Sequence, residues 1–181
     1  MDEGWGMRKW LVAVLAMAAV LVAAPADAGP VEGSERTATA ALGRLSIPAI
    51  RVNAGIIAVG VTRSGHLAIG GSVRDVYRWR DGVLPGQAGS AVLAGHTWSK
   101  GPGVFDNLGN LRIGNLVIVG KNRFKVTRVR RVTGMSPQEV SQLFSDRGKA
   151  RLVLITCGDR NNLTGHYRTR IIVNAKKLPN R

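Results

Sequence analysis

The sequence predicts an all-β domain, a sandwich or a barrel, over residues 44–181. Two observations carry this. Beyond residue 43, short runs rich in Val, Ile and Leu alternate with Gly, Asn, Pro and Asp turns, the pattern of many short strands joined by tight loops. Only one segment carries a strong helix-start signal, and there is no internal repeat or low-complexity tract.

In chain order the strands fall at residues 44–47, 52–59, 66–69, 90–95, 116–119, 123–132, 150–156 and 167–175. Residues 54–59 also fit a helical turn, because a short apolar run does not separate the two periods. Gly120-Lys121-Asn122 is a hairpin connection. The helix begins at Ser136-Pro137-Gln138-Glu139, with a capping serine, proline at the first helical position and glutamate three residues after the cap. Val140, Leu143 and Phe144 then share one face, and the helix stops near Asp146-Arg147-Gly148. It crosses between two β segments, so it plugs or flanks the sheet.

Ahead of the domain, Arg8 and Lys9 precede a charge-free run at residues 10–24, and Ala26-Asp27-Ala28 forms a small-x-small pattern before Gly29. Residues 1–28 fit a signal peptide, and they fit equally a retained membrane anchor through residues 10–26. Either form exports the domain, which is expected outside the cytoplasm, held at the membrane or released to the wall. Residues 29–43 are small, polar and aperiodic, a flexible linker.

The charge is uneven. Residues 1–24 sum to zero, and Asp27, Glu32, Glu35 and Arg36 sum to −2, so an overall +15 leaves +17 on residues 44–181. Such a surface attracts polyanions. An exported protein meets anionic headgroups and wall polymers before nucleic acid, so no nucleic-acid partner is expected, and the domain is expected to be a monomer. Six acids lie in the domain, Asp75, Asp81, Asp106, Glu139, Asp146 and Asp159, with no calcium-loop spacing. No Cys/His cluster has zinc spacing, and no glycine loop is built for phosphate. Neither a metal nor a cofactor is expected.

Three groups, a thiol, an imidazole and a guanidinium, can do chemistry together. Cys157, the only cysteine, follows the apolar strand Leu152-Val153-Leu154-Ile155, so a thiol stands where the chain leaves a rigid core. A lone exported thiol cannot close an intramolecular disulfide; it is buried, paired between chains, or reactive. His96 ends a second apolar strand, Ala91 to Gly95, and imidazole can hand a proton to a leaving amine near neutral pH. Arg168 and Arg170 alternate across Thr169 and share one strand face, where a guanidinium can hold a developing oxyanion. Thr156 and Thr97, beside the thiol and the imidazole, are candidate substrate contacts, with Arg170. His66 looks like a turn residue, and His166 borders the site.

In this order the motifs resemble those of the sortases, cysteine transpeptidases of Gram-positive cell walls. The resemblance is carried by Gly95-His96-Thr97, Gly103-Val104-Phe105-Asp106-Asn107-Leu108, Leu116-Val117-Ile118-Val119, Ile155-Thr156-Cys157, and Gly165-His166-Tyr167-Arg168 leading into Ile171-Ile172-Val173. Arg44-Leu45-Ser46-Ile47-Pro48 looks like the first barrel strand, and Pro85-Gly86-Gln87-Ala88-Gly89-Ser90 like the turn before the histidine strand. Class F is the nearest subgroup, class E the next. The resemblance implies an eight-stranded sortase β-barrel with one or two short helices over residues 44–181. It makes Cys157 the nucleophile and His96 the general acid/base. The Gly-His-Tyr-Arg pattern maps the family's arginine to Arg168, while an ungapped count of the class A kind gives Arg170 as the alternative. The implied substrates are an LPXTG-like sorting-signal peptide, cut between Thr and Gly, and a peptidoglycan-precursor amine. No cofactor is implied.

Two other readings are separable. An L,D-transpeptidase places Ser and Gly immediately before its cysteine, which Ile155-Thr156-Cys157 does not, and a papain-like hydrolase places Cys before His. A non-enzymatic basic β-domain binding anionic wall polymer would bury Cys157.

Overall fold

The computed structural model describes residues 43–63, 66–97, 101–160, 164 and 166–179, with the side chain of Arg160 left aside. The export segment and the linker lie outside these residues, and no helix among the described residues is long and apolar enough to cross a membrane.

Eight strands among the described residues close into a barrel: β1 (Arg44–Ile47), β2 (Val52–Val59), β3 (Val76–Trp79), β4 (Ser90–Gly95), β5 (Leu116–Val119), β6 (Asn122–Val132), β7 (Arg151–Arg160) and β8 (Tyr167–Lys177). Around the barrel the order is β1-β2-β3-β4-β7-β8-β6-β5, with β5 returning to β1. β2 with β3 and β4 with β7 are parallel, and the other pairs are antiparallel. Of the two arrangements open to the sequence it is therefore the barrel that forms, and closure leaves no unpaired sheet edge. Short 3-10 turns stand at Pro48–Ile50 and Leu108–Asn110.

Most strands form where the pattern predicts them, and residues 54–59 are strand. The Gly120-Lys121 hairpin joins β5 to β6 with Val119 opposite Asn122, and Gly120 takes the left-handed conformation (φ 54°) that such a turn favours. One strand is displaced. The stretch at 66–69 makes only a single bridge, Val61 to Leu67, whereas Val76–Trp79 forms the ladder between β2 and β4. Arg78 hides that strand in the sequence. It is buried, and its Nη1 donates to the carbonyls of Trp79, Arg80 and Gly82 at 2.5, 3.1 and 3.2 Å, which makes a charged residue tolerable in the sheet.

Alternation along the strands sorts side chains between the barrel interior and its outer face. Ala91, Leu93, Leu152, Leu154, Ile171, Val173 and Ala175 join the interior core. Val92, Val153 and Ile172 face outward and pack with Leu143 in a second cluster. Leu143 comes from the helix α1 (Pro137–Leu143), which begins with the predicted capping box: Glu139 N donates to Ser136 Oγ (3.2 Å) and Ser136 N to Glu139 Oε2 (2.9 Å). The helix flanks the barrel and does not plug it. The Ser136 amide, with smaller help from the Ser136 hydroxyl and Arg130, holds the Glu139 carboxyl below its ordinary value. This contribution is present above the usual carboxylate range and is lost as pH falls through the lowered value. Ser136→Ala removes the cap and is expected to cost about 1 kcal/mol, read from the urea midpoint at unchanged slope.

Candidate active site

The outer face of β4, β7, β8 and β6 is a grid of cross-strand rows. Ser90 pairs with Arg151, Val92 with Val153 and Ala94 with Ile155. Val153 pairs with Asn174, Ile155 with Ile172 and Cys157 with Arg170. Arg128 pairs with Asn174, Arg130 with Ile172 and Val132 with Arg170. His96 lies two residues beyond Ala94, as Cys157 lies two beyond Ile155, along parallel neighbours. Cys157 and Arg170 therefore face each other across adjacent strands about 4.8 Å apart, and His96, the residue after β4, continues the same face beside them. Three residues distant in sequence converge because β7 lies between β4 and β8.

The site is open to reagents. Cys157 and His96 are half-buried and Arg170 is exposed, so the thiol is neither sealed in the core nor, as the sole cysteine, able to pair within the chain. Arg170 Nη1 donates to the carbonyl of Thr169 at 3.1 Å. Arg168 is exposed and shares Arg170's face, but it lies two residues further toward the β7–β8 connection, past the Gly158–Thr169 pair. Register thus puts Arg170, not Arg168, directly across from the thiol.

The imidazole is held from two sides. Its Nε2 lies 2.7 Å from the carbonyl oxygen of Gly70. A carbonyl only accepts, so Nε2 carries a hydrogen and Nδ1 is the nitrogen free to gain or give a proton. The Tyr77 ring meets the imidazole edge-on, with centroids 6.0 Å apart. Tyr77 is buried and its hydroxyl donates to the Ser72 carbonyl at 2.9 Å. Burial pushes its phenol above the ordinary value, so it stays the protonated donor. The main chain of His96 is fixed by Phe105 N, which donates to its carbonyl at 2.9 Å.

The threonines serve the scaffold. Thr156 points inward, buried, and its hydroxyl donates to the Gly95 carbonyl at 2.7 Å, tying β7 to the end of β4 beside the site. Its side chain is thus not presented to a substrate on the outer face, because alternation sends it inward where its neighbour Cys157 goes outward. Thr97 Oγ1 donates to Asp106 Oδ1 at 3.0 Å, and Asp106 Oδ2 accepts from Gly103 N at 3.0 Å. These bonds close the 103–106 loop under His96. Asp159, with φ 52°, accepts from Arg131 Nη1 at 2.7 Å and Thr169 Oγ1 at 2.8 Å, bracing the end of β7 after Cys157. His66 lies in a turn, its carbonyl accepting from Thr62 N at 2.7 Å, and His166 stands exposed just before β8. Gly70 and Tyr77 are the residues that sequence reasoning does not find: a backbone carbonyl carries no signature, and Tyr77 sits in the strand that Arg78 conceals.

Gly95 leaves no room for a side chain. A Cβ there would stand 2.6 Å from the Phe105 ring and 2.7 Å from Val104 Cγ1, and Phe105 is fully buried. Gly95→Ala is expected to cost about 1–3 kcal/mol by overpacking and to lower kcat/KM by shifting His96. Urea unfolding and steady-state kinetics on the same variant check both.

Among the described residues no group of His, Cys, Asp and Glu is placed to hold a metal ion.

The sequence matches the Sortase domain family over residues 45–178, nearly the whole barrel. Among solved structures it is similar to sortase C-1 from Actinomyces oris, at 26% identity and a TM-score of 0.57, covering 75% of this chain and 73% of that one. It is also similar to sortase A from Corynebacterium diphtheriae (21%, TM-score 0.57, 76% of this chain and 60% of that one). Sortase A from Listeria monocytogenes shares the fold at 16% identity and a TM-score of 0.58, over 76% of this chain and 87% of that one. Comparison with curated proteins gives no match. With the family matched from the first strand to the last, the chain belongs to the sortases, a family of cysteine transpeptidases.

Proposed function

We propose that the protein cleaves an LPXTG-like sorting signal between Thr and Gly and transfers the threonyl acyl group to the amine of a peptidoglycan precursor. The observation that carries this reading is the Cys157–Arg170 pair on the outer barrel face, with His96 directly after the end of β4, the neighbour of β7. Cys157 passes its thiol proton to His96 Nδ1 as Sγ bonds to the threonine carbonyl carbon, and the C–N bond to glycine breaks. His96 delivers its proton to the departing amine, leaving a thioester. The incoming amine then attacks the thioester carbonyl, gives its proton to His96 and expels the thiolate. Arg170 stabilises the oxyanion in both steps or holds the substrate backbone. Arg168, on the same face, flanks the Cys157–Arg170 pair. The class F assignment, with class E next, rests on Gly165-His166-Tyr167-Arg168 and belongs to this proposal. So does an extracytoplasmic location at the membrane, which rests on the apolar run at 10–24.

Mass spectrometry of products from a panel of sorting-signal peptides, with and without an added amine, tests the reading. The expected result is a peptide cut after threonine, with its acyl part joined to the amine when one is present. A panel that yields no cleavage, or cleavage at other bonds, contradicts it.

A further inference from the structure

The outer face of the barrel is covered unevenly. Over β4, β7 and β8 its apolar residues Val92, Val153 and Ile172 pack with Leu143 of α1. Over β5 the outward residues are Leu116 and Ile118, because Val117 and Val119 fill the interior core. Both are half-buried, and neither belongs to either apolar cluster.

Cations border this apolar strip. Ile118 pairs with Arg123 and Leu116 with Lys125 on β6, and Lys125 pairs in turn with Lys176 on β8. Phe124, Val126 and Ala175 point into the core, so Arg123, Lys125 and Lys176 point outward. Two lysines directly opposite each other repel. The side chains of Arg123, Lys125, Arg128 and Lys176 have no partner among the described residues to offset this. Glu139, the acid on the same face beyond Arg128, is taken by Arg130 at 3.4 Å and by the Ser136 amide at 2.9 Å.

Beside the cations the chain raises an apolar tip. Arg112 to Asn115 form a turn in which Asn115 N donates to the Arg112 carbonyl at 3.0 Å and Arg112 N to Asn115 Oδ1 at 2.7 Å, with Gly114 at φ 96°. Gly114 N to the Val126 carbonyl and Val126 N to the Asn115 carbonyl, both 2.9 Å, fasten the turn to β6. Ile113 stands in this turn and is 75% exposed, more than any other large hydrophobic residue among those described.

We propose that the outer face of β5, β6 and β8 docks on an anionic lipid bilayer. Ile113 enters the headgroup layer, and Arg123, Lys125, Arg128 and Lys176 meet lipid phosphates. A soluble polyanion would use the cations alone, whereas a fastened turn that exposes isoleucine beside them suits the boundary between headgroups and acyl chains. The chain also enters the barrel on this side. Gly120 N, in the β5–β6 hairpin, donates to the Arg44 carbonyl at 3.2 Å, and residues 25–43 alone separate Arg44 from the apolar run at 10–24. Lys176 lies six residues from Arg170 along β8, about 20 Å, so the lysine pair and the peptide site occupy different ends of the strands. The proposal does not depend on the peptide-transfer reading.

The test mixes the full chain with vesicles of phosphatidylcholine alone, or of phosphatidylcholine and phosphatidylglycerol in equal parts. Lysines are acetylated with limiting reagent and the products read by mass spectrometry. Lys125 and Lys176 are expected to react about tenfold more slowly on the mixed vesicles than on phosphatidylcholine, with the difference lost at high salt. Ile113→Ser and Arg128→Gln, both at exposed positions, should each remove most of that protection. Soluble poly(glycerol phosphate) without lipid serves as the polymer control. Equal reaction on the two kinds of vesicle, or protection unchanged in both variants, would overturn the proposal. So would protection by the soluble polymer as strong as on the mixed vesicles and indifferent to Ile113→Ser.

Discussion

Cys157→Ala is expected to abolish sorting-peptide cleavage, lowering kcat by at least about 10⁴-fold, with the fold intact. The thiol is the only one in the chain and stands half-buried at the edge of the outer face. The adjacent Thr156 hydroxyl is not positioned to replace it: it points into the barrel and is bonded to Gly95. Because the Cys157 side chain faces outward, its truncation leaves the interior core untouched, so the urea midpoint should move little. Loss of turnover without loss of stability separates a nucleophile from a packing residue. Retained turnover in this variant would remove the thioester from the mechanism.

Arg170→Ala should lower kcat/KM by about 10²–10³-fold, the usual cost of deleting one oxyanion donor, whereas Arg168→Ala should cost only a few-fold. The difference follows from register. Arg170 is the direct cross-strand partner of Cys157, and Arg168 lies two residues beyond it. Arg170→Lys is informative too. It keeps the charge but loses the planar fork, so it should recover only part of the activity. A larger loss in Arg168→Ala would return the oxyanion role to the residue that the Gly-His-Tyr-Arg motif indicates.

Much of this architecture is legible in the sequence because the local signals and the global fold agree. The capping box at Ser136 and Glu139, the hairpin at Gly120 and the apolar runs before His96 and Cys157 each appear in the structure where the pattern puts them. What is not legible depends on long-range contacts. β3 carries a buried arginine whose carbonyl partners lie in the following turn, so its pattern does not alternate as a strand's should. The grip on His96 is a backbone carbonyl from Gly70, 26 residues away, and no residue type announces it. The choice between Arg168 and Arg170 is likewise a question of register. Both share a face in any strand over 167–175, and only the pairing of β7 with β8 shows which one meets the thiol. Thr156 shows the limit from the other side: proximity in sequence to a nucleophile says nothing about which way a strand residue points.

A crystal structure of the enzyme joined through Cys157 Sγ to a sorting-peptide mimic tests the central arrangement most directly. The arrangement predicts the peptide on the outer barrel face, its carbonyl-equivalent oxygen about 3 Å from the Arg170 guanidinium, and His96 Nδ1 turned toward the leaving-group side while Nε2 stays on Gly70. An adduct whose oxygen is met by neither arginine, or one formed with His96 turned away from the sulfur, would contradict it.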